Sequence, residues 1–320
     1  QDWRAENSNV EQTKGHRIVK IDRQMRNLQT MFLLQESEDP HYDLDIAMES
    51  IMDGNAYDTH FHMLRLIYDE LSQIPDEKTP CSFLRFSGIA NKKGYKELKK
   101  DIQLGRLTLS NPFKFNDPMD PIIKVWIDLQ KKDSWDKQDK KLFKAARNAL
   151  KNLRICCLAD PNKLKDKFPL MWSHYADSHR GIAIMYKITD LTLRQHNYDN
   201  HLLRLCKVAY RDRKTMSDYI TIDNALLAKG DCWSYEAEHR LLYFSTEDNE
   251  FKQLNEKTQK EERKDFISLD GFKIEAVYLS TQINPYQESE IRAIATQRGI
   301  QVRKMKYSPS DITHLVFDEN

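Results

Sequence analysis

Glu236, Glu238 and Arg240 are the residues whose types and spacing most invite chemistry. They lie in Cys232-Trp-Ser-Tyr-Glu-Ala-Glu-His-Arg-Leu-Leu-Tyr-Phe244. A strand from Glu236 onward turns all three to one face and Ala237, His239 and Leu241 to the other. Two carboxylates beside a guanidinium can bind a metal, exchange protons or stabilise a developing positive charge. The plainer alternative is an exposed strand with its charges in ion pairs. If the trio is buried, those charges must pair.

A second stretch, Leu170-Met-Trp-Ser-His-Tyr-Ala-Asp-Ser-His-Arg-Gly-Ile182, concentrates Trp172, Ser173, His174, Tyr175, His179 and Arg180 before a strand. Polar-tipped aromatics suit a pocket wall, stacking on a flat ring and bonding at its rim. They equally suit a core helix whose tips bond to backbone. Phe115-Asn-Asp-Pro-Met-Asp120 is a turn fixed by its own side chains. Arg85 is a lone charge between Leu84 and Phe86, facing either a phosphate or ribose or solvent. The series from Lys131 to Lys151, with Trp126 and Trp135, either tracks a nucleic-acid backbone or is a solvated helix face.

The elements that must position these residues read as follows. Leu44, Met48 and Ile51 predict a helix over 41–54, and Phe61, Leu64, Ile67 and Leu71 another over 57–73. Residues 18–34 fit strand or helix. Pro75 to Pro80 is a polar linker and the expected domain boundary. Strands are predicted at 81–86, 106–110, 154–158, 182–188, 203–210, 274–279 and 300–305. Helices are predicted at 93–104, 137–153, 170–180 and 288–297. The last three elements make one β-α-β unit with parallel strands. The mixture is α+β. No Gly-rich dinucleotide or P-loop signature is present.

Composition narrows the function classes. The chain has 320 residues, 40% hydrophobic and 31% charged, with 13 Phe, 14 Tyr and 5 Trp, which argues against a disordered chain. No apolar run approaches a membrane span and no basic-then-apolar leader opens the sequence. Five cysteines without C-x-x-C read as buried apolar residues in a reducing compartment, so the expected location is cytoplasmic. The histidines lack ligand spacing, so no dedicated metal site is expected. Residues 1–76 hold 15 acidic and 7 basic residues, a balance of −8 that leaves +9 on the rest of a chain of net charge +1. A basic body suits polyanions or an acidic partner, or is a solvated surface.

Taken in order, Leu84-Arg85-Phe86, Phe115 to Asp120, Trp172 to Gly181 and Trp233 to Arg240 resemble a bacterial family of unknown-function domains found among defence-associated genes. The resemblance spans most of residues 83–320 and leaves 1–76 uncovered. That family looks like a divergent ADP-ribosyltransferase fold, a split mixed β-sheet holding NAD in a cleft. Charge and helical periodicity mark 1–76 as an acidic, mainly helical N-terminal segment, and the resemblance implies an ADP-ribosyltransferase-like domain over 81–320. It implies that Arg85 on the first strand contacts the adenosine side of NAD and that Ser110 shapes the nicotinamide pocket. Glu238 would bind the nicotinamide ribose, and Glu236 would orient the acceptor. Trp172, Ser173, His174, Tyr175 and Arg240 complete the implied cofactor-binding set. Ser110 departs from the family pattern, lying in Leu-Ser-Asn-Pro rather than a serine-threonine-serine run.

The implied activity is transfer of ADP-ribose to a nucleic-acid or protein acceptor by a toxin or anti-phage effector. Residues 1–76 would dock an antitoxin or regulator. Two other classes stay open. Asp117, Asp120, Glu236 and Glu238 suit a Mg²⁺-dependent nuclease. The same cleft also suits a nucleotide sensor without turnover.

Overall fold

The computed structural model describes residues 56–75, 81–115, 117, 120–121, 137–164, 167–189, 200–211, 222–247, 251–255, 260–263, 265–268, 271–308 and 315–317. The predicted helix over 41–54, the 18–34 segment, Asn116, Trp126 and Trp135 lie outside them. Chain order runs α1 (Ala56–Gln73), β1 (Cys81–Ser87), α2 (Lys92–Leu104), β2 (Leu107–Thr108), α3 (Lys137–Ala149), β3 (Leu153–Ala159), α4 (Pro161–Leu164) and α5 (Phe168–Tyr175). Then come β4 (Ile182–Ile188), β5 (His201–Lys207), β6 (Ala209–Arg211), α6 (Ile222–Leu227), β7 (Ala228–Gly230) and β8 (Glu238–Ser245). The chain continues through β9 (Lys252–Asn255), β10 (Lys260–Arg263), β11 (Phe266–Ile267), β12 (Phe272–Leu279), α7 (Pro285–Gln297), β13 (Gln301–Tyr307) and β14 (Leu315–Phe317).

The class is α+β. Eight strands form one mixed sheet in the order β14-β13-β12-β4-β1-β3-β8-β5. Only β12 and β13 pair in parallel within it, as the β-α-β reading requires. Local chemistry sets the boundaries. Asn91 caps α2 by accepting from the Lys93 and Gly94 N–H groups, and Gly105 ends it in the left-handed conformation. Helix α7 begins at Pro285 rather than 288 because Asn284 caps it and proline is well placed in the first turn.

One junction in the sheet is weak. β1 and β4 pair along their whole length, as do β3 and β8. Between β1 and β3 only Leu84↔Ala159 is in register. Beyond that pair the two strands part. Ser110 takes the vacated edge of β3 by an isolated antiparallel bridge to Ile155, with both N–H···O bonds at 2.8 Å. The sheet is therefore hinged into two parts, β14 to β1 and β3 to β5.

Alternation along the strands fixes what covers each part. One core lies under both, with Phe83, Leu158, Ile184 and Leu241 packed beneath α2 and α7. On the opposite side, Ile155, Leu242 and Phe244 pack with Met63, Ile67 and Leu71 of α1 and Ala149 of α3. There Leu84, Ala183 and Tyr278 pack with Leu164 and Trp172 of α4 and α5. Helix α1 therefore shares its core with β3 and β8. Among the described residues no helix is long and apolar enough to cross a membrane.

Candidate functional site

A cleft of about 750 Å³ opens where β1 and β3 part. Arg85, Ser110, His174, Tyr175, Glu236 and Glu238 all line it, joined by Lys229, Trp233 and Asp120. Six of the nine residues expected to act thus meet in one place. The other three do not reach it. Trp172 is 0% exposed and packs edge-on to Phe86 at 5.3 Å, so it is core beneath the cleft rather than a wall. Ser173 is exposed but does not line the cleft. Arg240 is also 0% exposed and lies behind Glu238.

The carboxylate side of the cleft is a closed charge network. Arg240 donates through Nε to Glu238 Oε1 at 2.8 Å, through Nη2 to Asp120 at 2.6 and 2.8 Å, and through Nη1 to the Leu226 carbonyl. Lys229 donates to Glu236 at 2.5 Å and to Glu238 at 3.0 Å, and its ammonium is 3.5 Å from Asp120. Tyr175 donates its hydroxyl to the other oxygen of Glu236. The Glu238 N–H donates to the Tyr210 hydroxyl at 2.8 Å. Every charge has an opposite partner, as burial demands.

The backbone departs from the expected strand here. Glu236 ends a short 3₁₀ helix, Asp231–Glu236, and Ala237 is left-handed at φ 46° before β8 begins at Glu238. The i, i+2 alternation therefore does not align Glu236 with Glu238. Their shared partner Lys229 does. Lys229 was not legible as a site residue, although a signal was present. It is a lone charge between the apolar run Ala225 to Ala228 and Gly230, the pattern that singled out Arg85.

The surroundings push the two glutamates in opposite directions. Burial opposes the charge on Glu238, but Arg240 and Lys229 override it and hold the carboxyl down at about 2. Burial, reinforced by the Glu238 charge, pushes Glu236 above the usual carboxylate range, with Lys229 and Tyr175 pulling the other way. Burial would lower Lys229, yet Glu238, Glu236 and Asp120 raise it above its ordinary value, so it stays an ammonium and not a nucleophile.

On the β1 side of the cleft Arg85 is less completely paired. It is 18% exposed in its side chain and meets Asp101 at 3.6 Å. Its buried Nη1 makes no hydrogen bond of normal length, and the buried Tyr186 hydroxyl lies beside the guanidinium and interacts with it. Asp101 is occupied by Arg106 at 2.7 Å and by Thr108 at 2.6 Å. At the mouth, His174 sits 6.1 to 6.3 Å from the rings of Tyr175, Trp233 and Tyr235.

The motif around Trp172 is mostly fold-forming. After α5, Asp177, Ser178 and His179 are all left-handed, which costs non-glycine residues about 1–2 kcal/mol each. Asp177 offsets this by accepting the Ile89 and Ala90 N–H groups, fixing the loop after β1. At Gly181 a Cβ would overlap the Ser87 carbonyl and lie 2.9 Å from the Ala176 backbone, so only glycine fits.

Cys156 and Cys206 are buried as expected, with the Cys156 thiol pushed up to about 11 by burial. Cys157 and Cys232 are exposed, contrary to the expectation that all five are core residues. Among the described residues no three His, Cys, Asp or Glu side chains are arranged to hold a metal ion. A divalent ion at Asp120 and Glu238 would have to displace Arg240 and Lys229.

Residues 171–241 match the model of a family described as a protein of unknown function, DUF2971. The matched segment runs from α5 into β8. It contains both long motifs and carries Tyr175, Lys229, Glu236, Glu238 and Arg240. No curated protein and no solved structure matches the chain.

Proposed function

We propose that this protein is an ADP-ribosyltransferase-like enzyme that uses NAD to modify a macromolecule. The observation that carries the reading is the split pair of glutamates. Glu238 is held ionised and Glu236 is pushed upward, joined through Lys229, in a cleft that the loosely paired Arg85 also lines. Two titratable groups driven apart by their surroundings are what an acid/base division of labour requires. The cleft volume falls within the ~300–1,000 Å³ typical of small-molecule sites. The parting of β1 from β3 also supports the split-sheet fold that the motif resemblance implies.

In this reading Arg85 binds the phosphate or adenosine end of NAD. Breaking the nicotinamide bond leaves the electron pair on the nicotinamide nitrogen and positive charge on the ribose. The Glu238 carboxylate stabilises that charge and orients a ribose hydroxyl. The acceptor's oxygen or nitrogen attacks the ribose carbon, and its proton passes to Glu236. Ser110 and Tyr175 line the same cleft. The acceptor is a nucleic acid or a protein; a toxin or anti-phage role follows only from the resemblance, and a regulator on residues 1–76 only from their acidic balance. The cytoplasm, where NAD is at hand, is the location this reading requires.

The test is release of nicotinamide from labelled NAD by the purified chain, with mixed RNA, DNA and cell extract as acceptor. Glu238→Gln should lower the rate about 10²–10³-fold, the loss typical when one transition-state charge contact is removed. Label retained on a macromolecule identifies the acceptor class. If there is neither release nor NAD binding with every acceptor, the reading fails.

A further inference from the structure

Lys229 stands apart from the other charges of the site. Its side chain is 8% exposed, it belongs to the three-residue strand β7, and β7 is held in place by parallel pairing with β6. That pairing also brings Tyr210 of β6 to the Glu238 backbone. The ammonium is shared between two carboxylates whose other partners differ. Glu238 retains Arg240 when Lys229 is removed, whereas Glu236 retains only the neutral Tyr175 hydroxyl. We infer that Lys229 is the positioning residue of this site, holding Glu236 as an anion aimed into the cleft while Arg240 holds Glu238. The inference rests on the transferase reading for its consequence in catalysis, and on geometry alone for its effect on Glu236.

The groups around the ammonium fix the direction of the effect. Glu236, Glu238 and Asp120 bear negative charge toward it, and the Trp233 ring lies 5.3 Å from it. Tyr175, Tyr210 and Tyr235 face the same network, as does Cys157 beside Glu238. The second cation of the network, Arg240, bonds Glu238 and Asp120 and makes no bond to Glu236. Without Lys229, burial and repulsion from Glu238 act on Glu236 with no cation to offset them. Glu236 then takes up a proton and no longer accepts one from the acceptor.

The experiment compares the full chain with Lys229→Met and Lys229→Arg. In Lys229→Met the acid limb of the transfer rate should move to higher pH by at least about one unit, a tenfold loss at a fixed pH on that limb. Lys229→Arg should return the limb to within about threefold of the original rate at that pH, because it restores the charge. In parallel, the Glu236 carboxyl is titrated by carbon NMR in carboxyl-labelled protein, assigned with Glu236→Gln. Its midpoint should rise in Lys229→Met. Should Lys229→Met not fold, Lys229→Gln carries both expectations. An unmoved NMR midpoint overturns the proposal whether or not the protein turns over NAD. A uniform rate loss with an unmoved acid limb overturns it too. A moved midpoint in a chain that releases no nicotinamide sustains the role of Lys229 and sinks the transferase reading instead.

Discussion

Arg240, behind Glu238, and Arg85, in the cleft wall on β1, are two largely buried guanidinium groups, and they are paired very differently. Arg240 is sealed. All three of its nitrogens donate, to Glu238, Asp120 and the Leu226 carbonyl. Arg85 has one loose ion pair at 3.6 Å with an aspartate already held by Arg106 and Thr108, and a buried nitrogen without a hydrogen bond of normal length. A guanidinium whose donors are satisfied within the fold holds the fold. One that lines a cleft with only a loose ion pair has donor capacity that a small shift would turn to an anion from outside. The same contrast separates the glutamates, since Glu238 is fixed by two cations and Glu236 by one.

The largest way to break this comparison is Arg240→Met. It leaves Asp120 and Glu238 buried with Lys229 alone, and should cost about 3–5 kcal/mol of stability in a denaturant titration. A cost below about 1 kcal/mol would mean that the network is not holding the fold. Next in size is acid stability. Glu238 is depressed in the folded state, so its contribution is present above its ordinary pKa of 4.5 and is lost as pH falls toward about 2. That window is worth about 3 kcal/mol. Stability measured from pH 6 to 2 should fall more steeply in the native chain than in Glu238→Gln, with the two curves converging near pH 2. Glu236 has the opposite sign. Its raised carboxyl favours folding at low pH and loses that benefit as pH rises through its folded value. Glu236→Gln should therefore cost less than Glu238→Gln at neutral pH. The reverse order would refute the split.

Arg85→Met sharpens the other side. Stability should change by no more than about 1 kcal/mol, because little pairing is lost. NAD affinity, read by calorimetry, should fall about 10–100-fold, the value of a charge-assisted bond of about 1.5–3 kcal/mol. Unchanged affinity would remove Arg85 from the ligand site. The smallest effect expected is from Tyr210→Phe. It deprives the Glu238 N–H of its acceptor and should cost about 1 kcal/mol, the low end of the cost of an unmet donor, because water can replace the hydroxyl.

Much of this molecule is written locally in its sequence. The strand at 182–188 matches β4, and the helix at 93–104 matches α2 to within one residue, because alternation, an Asn cap and a terminal glycine are short-range signals. The β-α-β unit near the end follows for the same reason. Arg85, Tyr175, Glu236 and Glu238 were legible as candidates by type and spacing, Ser110 only through the motif resemblance, and the fold brings all five to one cleft. What the tertiary structure alone decided is which of them face it and what they meet. Trp172 turns into the core, and Lys229, from a strand absent from the sequence reading, joins the two glutamates. The parting of β1 from β3 creates the cleft itself. These outcomes depend on which distant strands become neighbours and which buried charges must then be neutralised. Hydrophobic periodicity records the face of an element, but it carries no information about the partner across the gap.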